Sequence, residues 1–367
     1  MIRILDKSQC CGCGACEQRC PKQCITLNTD QQGFLYPNVE ESDCIDCHIC
    51  EEVCPVLNAG EKRVPIKAFA AINPNEDVRM SSSSGGVFTA IAENIIEHSG
   101  VVFGARFNEK WEVVHDFTEK KEGLSAFRGS KYVQSMIGDS FFKVCWFLEQ
   151  GRKVLFTGTP CQVAGLKNYL NKEYENLLIV EVACHGVPSP LVWKKYIEDK
   201  QPQHINFRDK NLGWKNFSMS INNYSQYHQK DSFMQCFLSN LCLRPSCFNC
   251  KFKAGSSGCD ITLADFWGVT EFLPQLDDDK GVSAVLTYSD KGNEFLNKLN
   301  LTLIGVECSK VYTHNSAILY SVKQPYEYNV FWQDFYEFGK KSIHKWGKKQ
   351  MVSPIIKLKT LIYHLLH

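Results

Sequence analysis

The 367-residue sequence has no apolar stretch of secretory length behind Met1 and nothing approaching about 18 unbroken apolar residues. Neither export nor a membrane span is expected, and the chain reads as cytoplasmic. It has no surplus of one charge either: the formal net charge of +1 argues against a nucleic-acid binder with a broad basic face. It lacks G-x-G-x-x-G and G-x4-G-K-S/T, which excludes the usual dinucleotide fingerprint and the P-loop. A nucleotide-type cofactor has to be held in some other way. What is present is ordinary globular material, 44% hydrophobic and 22% charged, enough for two or three domains.

Near-neutrality hides an asymmetry. Residues 1–60 hold nine acids against four bases, whereas residues 338–367 hold seven lysines and no acid. Within that tail Ile355, Ile356, Leu358, Leu361, Ile362, Leu365 and Leu366 fall at helical spacing beside Lys357 and Lys359. The pattern predicts a basic amphipathic helix over 354–367, docked on a partner, on an anionic membrane surface, or on the protein's own core.

Cysteine is the abundant residue, with nineteen in the chain and ten of them in the first 54 residues. In a long, unexported chain this density points to metal ligation rather than disulfides. Cys10, Cys13, Cys16 and Cys20-Pro21 follow C-x2-C-x2-C-x3-C-P, and Cys44, Cys47, Cys50 and Cys54-Pro55 repeat it. That is the spacing of bacterial two-cluster ferredoxins, in which the fourth cysteine of each run crosses to the other cluster. Cys10, Cys13, Cys16 and Cys54 are therefore assigned to one 4Fe-4S cluster, and Cys44, Cys47, Cys50 and Cys20 to the second. A pair of zinc knuckles is the alternative use of soft thiolates. Cys11 and Cys24 are spare, and His48 reads as a loop residue.

Residues 56–65 read as a linker. Beyond it, apolar runs at 66–72, 101–107, 153–157 and 177–183 read as strands, with 111–117 pairing back on 101–107 as a hairpin. Ser81-Ser82-Ser83-Ser84-Gly85-Gly86 opens a helix over 87–98, Gly158-Thr159-Pro160-Cys161-Gln162 opens one over 163–170, and a third starts near 191. Strands followed by helices predict a partly parallel α/β sheet whose ligands sit at the carboxyl ends of the strands. Serines and glycines before a helix either present donors to an anion or merely cap it. Cys242, Cys247 and Cys250 begin like a plant-type two-iron spacing, with Cys259 following. Zinc, a third cluster and reduced structural thiols all remain open there.

Four segments in order behind the two cysteine runs carry a resemblance. They are Gly129-Ser130-Lys131-Tyr132-Val133-Gln134-Ser135, Phe156-Thr157-Gly158-Thr159-Pro160-Cys161-Gln162, Cys184-His185-Gly186-Val187-Pro188-Ser189-Pro190 and Asp260-Ile261-Thr262-Leu263-Ala264-Asp265-Phe266-Trp267-Gly268. Together they resemble the coenzyme F420 hydrogenase/dehydrogenase beta-subunit family over about residues 1–310. The resemblance implies an iron–sulfur flavoprotein in which FAD exchanges electrons between clusters and a two-electron partner. In such a family the partner is the deazaflavin coenzyme or an organic substrate. Stand-alone relatives of similar layout resemble proteins placed among bacterial surface-polysaccharide enzymes, hence a small-molecule or carbohydrate-linked acceptor.

The expected organisation is an α+β ferredoxin-like domain (1–60), the two halves of an α/β flavin domain (66–200 and 201–330, the second mixed) and the basic tail (338–367). A crevice formed by Ser84, Gly85, Gly86, Lys131, Thr157, Gly158, Thr159, Pro160, Cys161 and Gln162 would hold FAD. Lys131 and Arg208 are candidate phosphate partners, and Asp265 and Trp267 candidate lining for the flavin ring. His185 is the candidate proton donor, and Cys161 a second candidate catalytic group. The expected activity carries electrons from a ferredoxin-like donor through two 4Fe-4S clusters to FAD and on to the acceptor. A non-catalytic relay subunit and a deazaflavin oxidoreductase are the alternatives.

Overall fold

A computed structural model describes residues 1–352; the amphipathic segment expected at 354–367 lies outside the described residues. The N-terminal cysteine region is built on a hairpin of β1 (Ile25–Thr29) and β2 (Leu35–Val39), paired from Ile25 opposite Val39 to Thr29 opposite Leu35. Each cysteine run closes on a short helix, Ala15–Arg19 in the first and Ile49–Glu52 in the second.

The rest of the chain is organised by one eight-stranded mixed sheet. Its strands are β3 (Lys67–Ile72), β4 (Val101–Phe107), β5 (Val113–Thr118), β6 (Val154–Gly158) and β7 (Leu177–Val182), joined later in the chain by three more. Between them the chain leaves to build a small antiparallel sheet of β8 (Ile205–Asp209), β9 (Ser218–Ile221) and β10 (Tyr224–Tyr227). It then returns with β11 (Ile261–Asp265), β12 (Ser283–Thr287) and β13 (Thr302–Val306). The order across the large sheet is β13-β3-β12-β11-β7-β6-β4-β5. Only β4, β6, β7 and β11 run parallel, and every other pairing is antiparallel.

These parallel strands sit in the middle, where both faces must be covered, and their sequences comply: all five residues of β6 are buried. Val154 and Phe156 pack with Phe141, Val163 and Leu166 on one face. Leu155 packs with Val87, Ile91 and Ile95 on the other. A third core, around Trp193, Phe207, Phe233 and Phe331, joins the small sheet to the helices Tyr328–Phe338 and Lys340–Val352. The start of the basic tail thus packs on the body of the protein, with Ile343 and Trp346 buried.

The cysteine region is seated directly on the sheet domain. Gly165, in the helix Pro160–Leu170, has no room for a side chain: a Cβ there would come within 2.8 Å of Cys13 Cβ. No helix among the described residues is long and apolar enough to cross a membrane.

Candidate functional site

Because β6, β7 and β11 are parallel neighbours, the loops leaving their carboxyl ends open on the same side of the sheet, as the general rule for such sheets requires. The loops are Thr159-Pro160-Cys161, Ala183-Cys184-His185 and Phe266-Trp267. Together with the serine loop and Arg128-Gly129-Ser130-Lys131 they enclose a crevice of about 630 Å³, well inside the range of small-molecule and cofactor sites. Of the residues expected to form it, Ser84, Gly86, Lys131, Thr157, Gly158, Thr159, Gln162, His185, Arg208, Asp265 and Trp267 line it. Gly85, Pro160 and Cys161 do not.

Two helix starts face this space, and their local chemistry separates them. Thr159 and Gln162 form a reciprocal capping box at the helix Pro160–Leu170, so these side chains already satisfy its first amides. The helix therefore begins at Pro160, three residues before the expected start. By contrast, the helix Val87–Glu97 has Gly86 as its N-cap, at φ +82°, and no side-chain cap. Its first amides and positive dipole end are left for an anion. Gly85 supports this arrangement from behind, for a Cβ there would come within 2.3 Å of Ala71 O.

The cations divide in the same way. Arg208 Nη1 donates to Asp265 Oδ2 at 3.0 Å and to Tyr132 Oη at 3.3 Å. Its guanidinium stands 4.1 Å from the Phe217 ring centre. The charge expected to meet a phosphate is met instead by Asp265, which also accepts from Trp214 Nε1. Trp214 in turn stacks on Trp267 at 4.7 Å with planes 8° apart. Lys131 Nζ donates to the backbone oxygens of Ala126 and Arg128, and burial lowers its pKa to about 7. Arg128, which the sequence pattern did not single out, bonds only hydroxyls: Nε donates to Thr89 Oγ1 at 3.1 Å and Nη1 to Ser81 Oγ at 2.9 Å. It lines the crevice beside the uncapped helix start.

His115 is likewise absent from the expected site. It sits at an inward position of β5, a polar residue where the alternation asks for an apolar one. Its Nε2 faces Thr157 O at 3.0 Å, so that nitrogen carries the proton. Nδ1 accepts from Ser135 Oγ at 2.9 Å, and Gln162 Nε2 donates to that hydroxyl at 2.8 Å. Burial lowers the His115 pKa to about 4. Because the unfolded chain binds this proton from about pH 6.5 downward and the folded one does not, stability falls as pH drops from 6.5 to 4. The expected loss is about 3 kcal/mol. Denaturant titrations across that window should show a flatter pH dependence for His115→Gln than for the parent; parallel curves would refute the assignment.

The thiols form three groups. Enclosure pushes the Cys16 thiol up to about 12, with Cys10 and Cys54 adding to it, which places Cys54 beside the first run. Cys20 lines a small cavity with Cys44, Cys47 and Cys50. Cys24, expected to be spare, lines it too, with its sulfur 3.4 Å from that of Cys20. Ile2 N donates to Cys50 Sγ at 3.3 Å, a contact suited to a thiolate ligand. His48 is a loop residue at φ +61°, bonded to Glu51.

The third group was not anticipated in this combination. Burial raises the Cys184 thiol to about 12, reinforced by Cys161 and Cys250 beside it. Cys247 is raised by burial and by Cys184, Cys161 and Cys250. Val187 N donates to Cys247 Sγ at 3.4 Å. Cys11, the other supposedly spare thiol, links this nest to the first run, having Cys13 on one side and Cys161 on the other. Cys242 and Cys259 do not join Cys247 and Cys250: Cys242 is buried in the aromatic core, and Cys259 Sγ lies 3.6 Å from Thr262 Oγ1. Among the described residues no three histidine, cysteine or carboxylate side chains are gathered as a lone metal ion requires; the nest thiols are neighbours at longer range.

Residues 151–315 match the family model for the C terminus of the coenzyme F420 hydrogenase/dehydrogenase beta subunit, and residues 9–58 match the 4Fe-4S dicluster domain. A chain of the xenon-derivatised F420-reducing NiFe hydrogenase complex from Methanosarcina barkeri is 15% identical. The alignment covers 79% of this chain and 91% of that one, with a TM-score of 0.48. Comparison with curated proteins gives no match.

Proposed function

For an iron–sulfur redox chain that belongs, over residues 151–315, to the coenzyme F420 hydrogenase/dehydrogenase beta-subunit family, we propose an FAD-dependent oxidoreductase. It takes electrons from a ferredoxin-like donor and delivers them to a small-molecule or carbohydrate-linked acceptor in the crevice. One observation carries the reading: the loops that line the crevice also hold the thiol nest. Thr159 faces the crevice while Cys161, two residues on, faces Cys11 of the N-terminal region.

Cys10, Cys13, Cys16 and Cys54 would hold one cluster and Cys20, Cys44, Cys47 and Cys50 a second, as the spacing implies. The nest of Cys161, Cys184, Cys247 and Cys250 supplies a third set of four thiols next to the crevice. Cys161 is then a cluster ligand and not a catalytic group. The free amides at Val87 and the charge of Arg128 suit the pyrophosphate of FAD, and the Trp267 face suits its ring. Bound there, the clusters supply single-electron transfer and the flavin converts single electrons into pairs. His185 is positioned on the crevice wall to place a proton on the acceptor.

Anaerobically purified protein should contain about twelve iron and twelve acid-labile sulfide per chain, the content of three cubanes, and should release FAD on denaturation. Stoichiometric zinc without sulfide would sink the cluster assignment. Release of FMN, or of no flavin after full reconstitution, would sink the flavin site. If only a partner protein and no small molecule reoxidises the reduced chain, the protein is a relay subunit.

A further inference from the structure

Arg244 is fully buried, and none of its hydrogen-bond partners is a carboxylate. Nε donates to Cys10 O at 2.7 Å, Nη1 to Gln134 Oε1 at 3.0 Å, and Nη2 to Leu35 O at 2.8 Å and Cys10 Sγ at 3.6 Å. The guanidinium lies over the Tyr36 ring at 4.3 Å. The cysteine loop is shaped around it, for a Cβ on Gly12 would come within 2.7 Å of Nη1. This side chain stays charged at any pH a protein survives, and a buried charge needs a partner of opposite sign. The groups of potential negative charge that face it are sulfurs: Cys10 in contact, with Cys11 and Cys247 in electrostatic reach.

We propose that Arg244 is the counter-charge of the cluster held through Cys10, where it favours the reduced state and so raises that cluster's reduction potential. The inference rests on the cluster assignment proposed above. A cubane bound by four thiolates is an anion that gains one further negative charge on reduction. A fixed guanidinium hydrogen-bonded to one of its sulfurs favours the reduced form over the oxidised one, and the dry surroundings strengthen the effect. Arg244 is thus a positioning and tuning residue. It reaches from the sheet domain into the N-terminal loop at the point where the first cysteine run meets the nest.

The test is a potentiometric titration followed by electron paramagnetic resonance, on the full chain with iron and sulfide measured in every sample. Arg244→Gln should make reduction of one cluster at least about tenfold less favourable, 59 mV for a single electron. The cluster bounded by Cys20, Cys44, Cys47 and Cys50, which Arg244 does not touch, should move far less. Gln134→Glu keeps the arginine but places a carboxylate against Nη1, and should shift the same cluster in the same direction. An iron-replete form of either variant with an unchanged potential overturns the inference. Parent protein without sulfide would instead overturn the cluster assignment beneath it.

Discussion

Cys247→Ser is expected to cost the protein about four iron and four sulfide per chain, one whole cubane, and to abolish reduction of the bound flavin by reduced ferredoxin. Direct chemical reduction of the flavin by dithionite should persist, because the crevice itself is untouched. Cys247 has Cys184, Cys161 and Cys250 as neighbours and receives a backbone donor from Val187. It therefore stands inside the nest that separates the N-terminal thiols from the crevice. The companion variants make the test selective. Cys242→Ser and Cys259→Ser alter cysteines of the same stretch, yet both should retain the full metal content. Cys242 is packed among apolar and aromatic side chains, and Cys259 is bonded to Thr262. A Cys247→Ser protein with undiminished iron would dismiss the third cluster.

The limits of sequence reading follow from where information is local. The two N-terminal runs were legible because each carries its ligands within eleven residues, and β6 and β7 because strands buried on both faces must be continuously apolar. From strand-then-helix order it followed that the loops at Thr159 and His185 would share a crevice, and they do. The nest was not legible. Its four cysteines come from three separate loops, and the C-x2-C pair at Cys247 and Cys250 invited grouping with Cys242 and Cys259, its nearest neighbours in sequence. Arg208 and Arg128 show the same limit for charge. Both are arginines near a crevice, and only the structure shows that Asp265 answers one while hydroxyls alone meet the other. His115 did leave a trace, a histidine at an inward strand position, but the hydroxyl and amide that make it tolerable there come from Ser135 and Gln162.

His185→Gln should slow acceptor reduction by about 100- to 10,000-fold, the usual worth of a positioned general acid, and leave flavin reduction by ferredoxin unchanged. The first process needs a proton at the accepting atom; the second moves electrons only. The geometry specifies the ring's state. His185 Nε2 lies 2.6 Å from Asn240 Oδ1, and Asn240 Nδ2 donates to Lys323 O, which orients the amide so that its oxygen accepts. Nε2 therefore carries the proton in the resting ring, and Nδ1 is the nitrogen that gains one. Burial lowers the His185 pKa below its ordinary value of 6.5, against the pull of the Asn240 hydrogen bond. At neutral pH the ring is accordingly mostly neutral, and the protonated form grows as pH falls below 6.5. Single-turnover reoxidation by an acceptor found in an untargeted metabolite screen should then accelerate toward lower pH in the parent and lose that dependence in His185→Gln. Asn240→Asp, which puts a carboxylate against Nε2, should raise the imidazole pKa and carry the acceleration to higher pH. Equal slowing of both half-reactions by His185→Gln, with the pH profile unmoved by Asn240→Asp, would show that His185 only braces its loop.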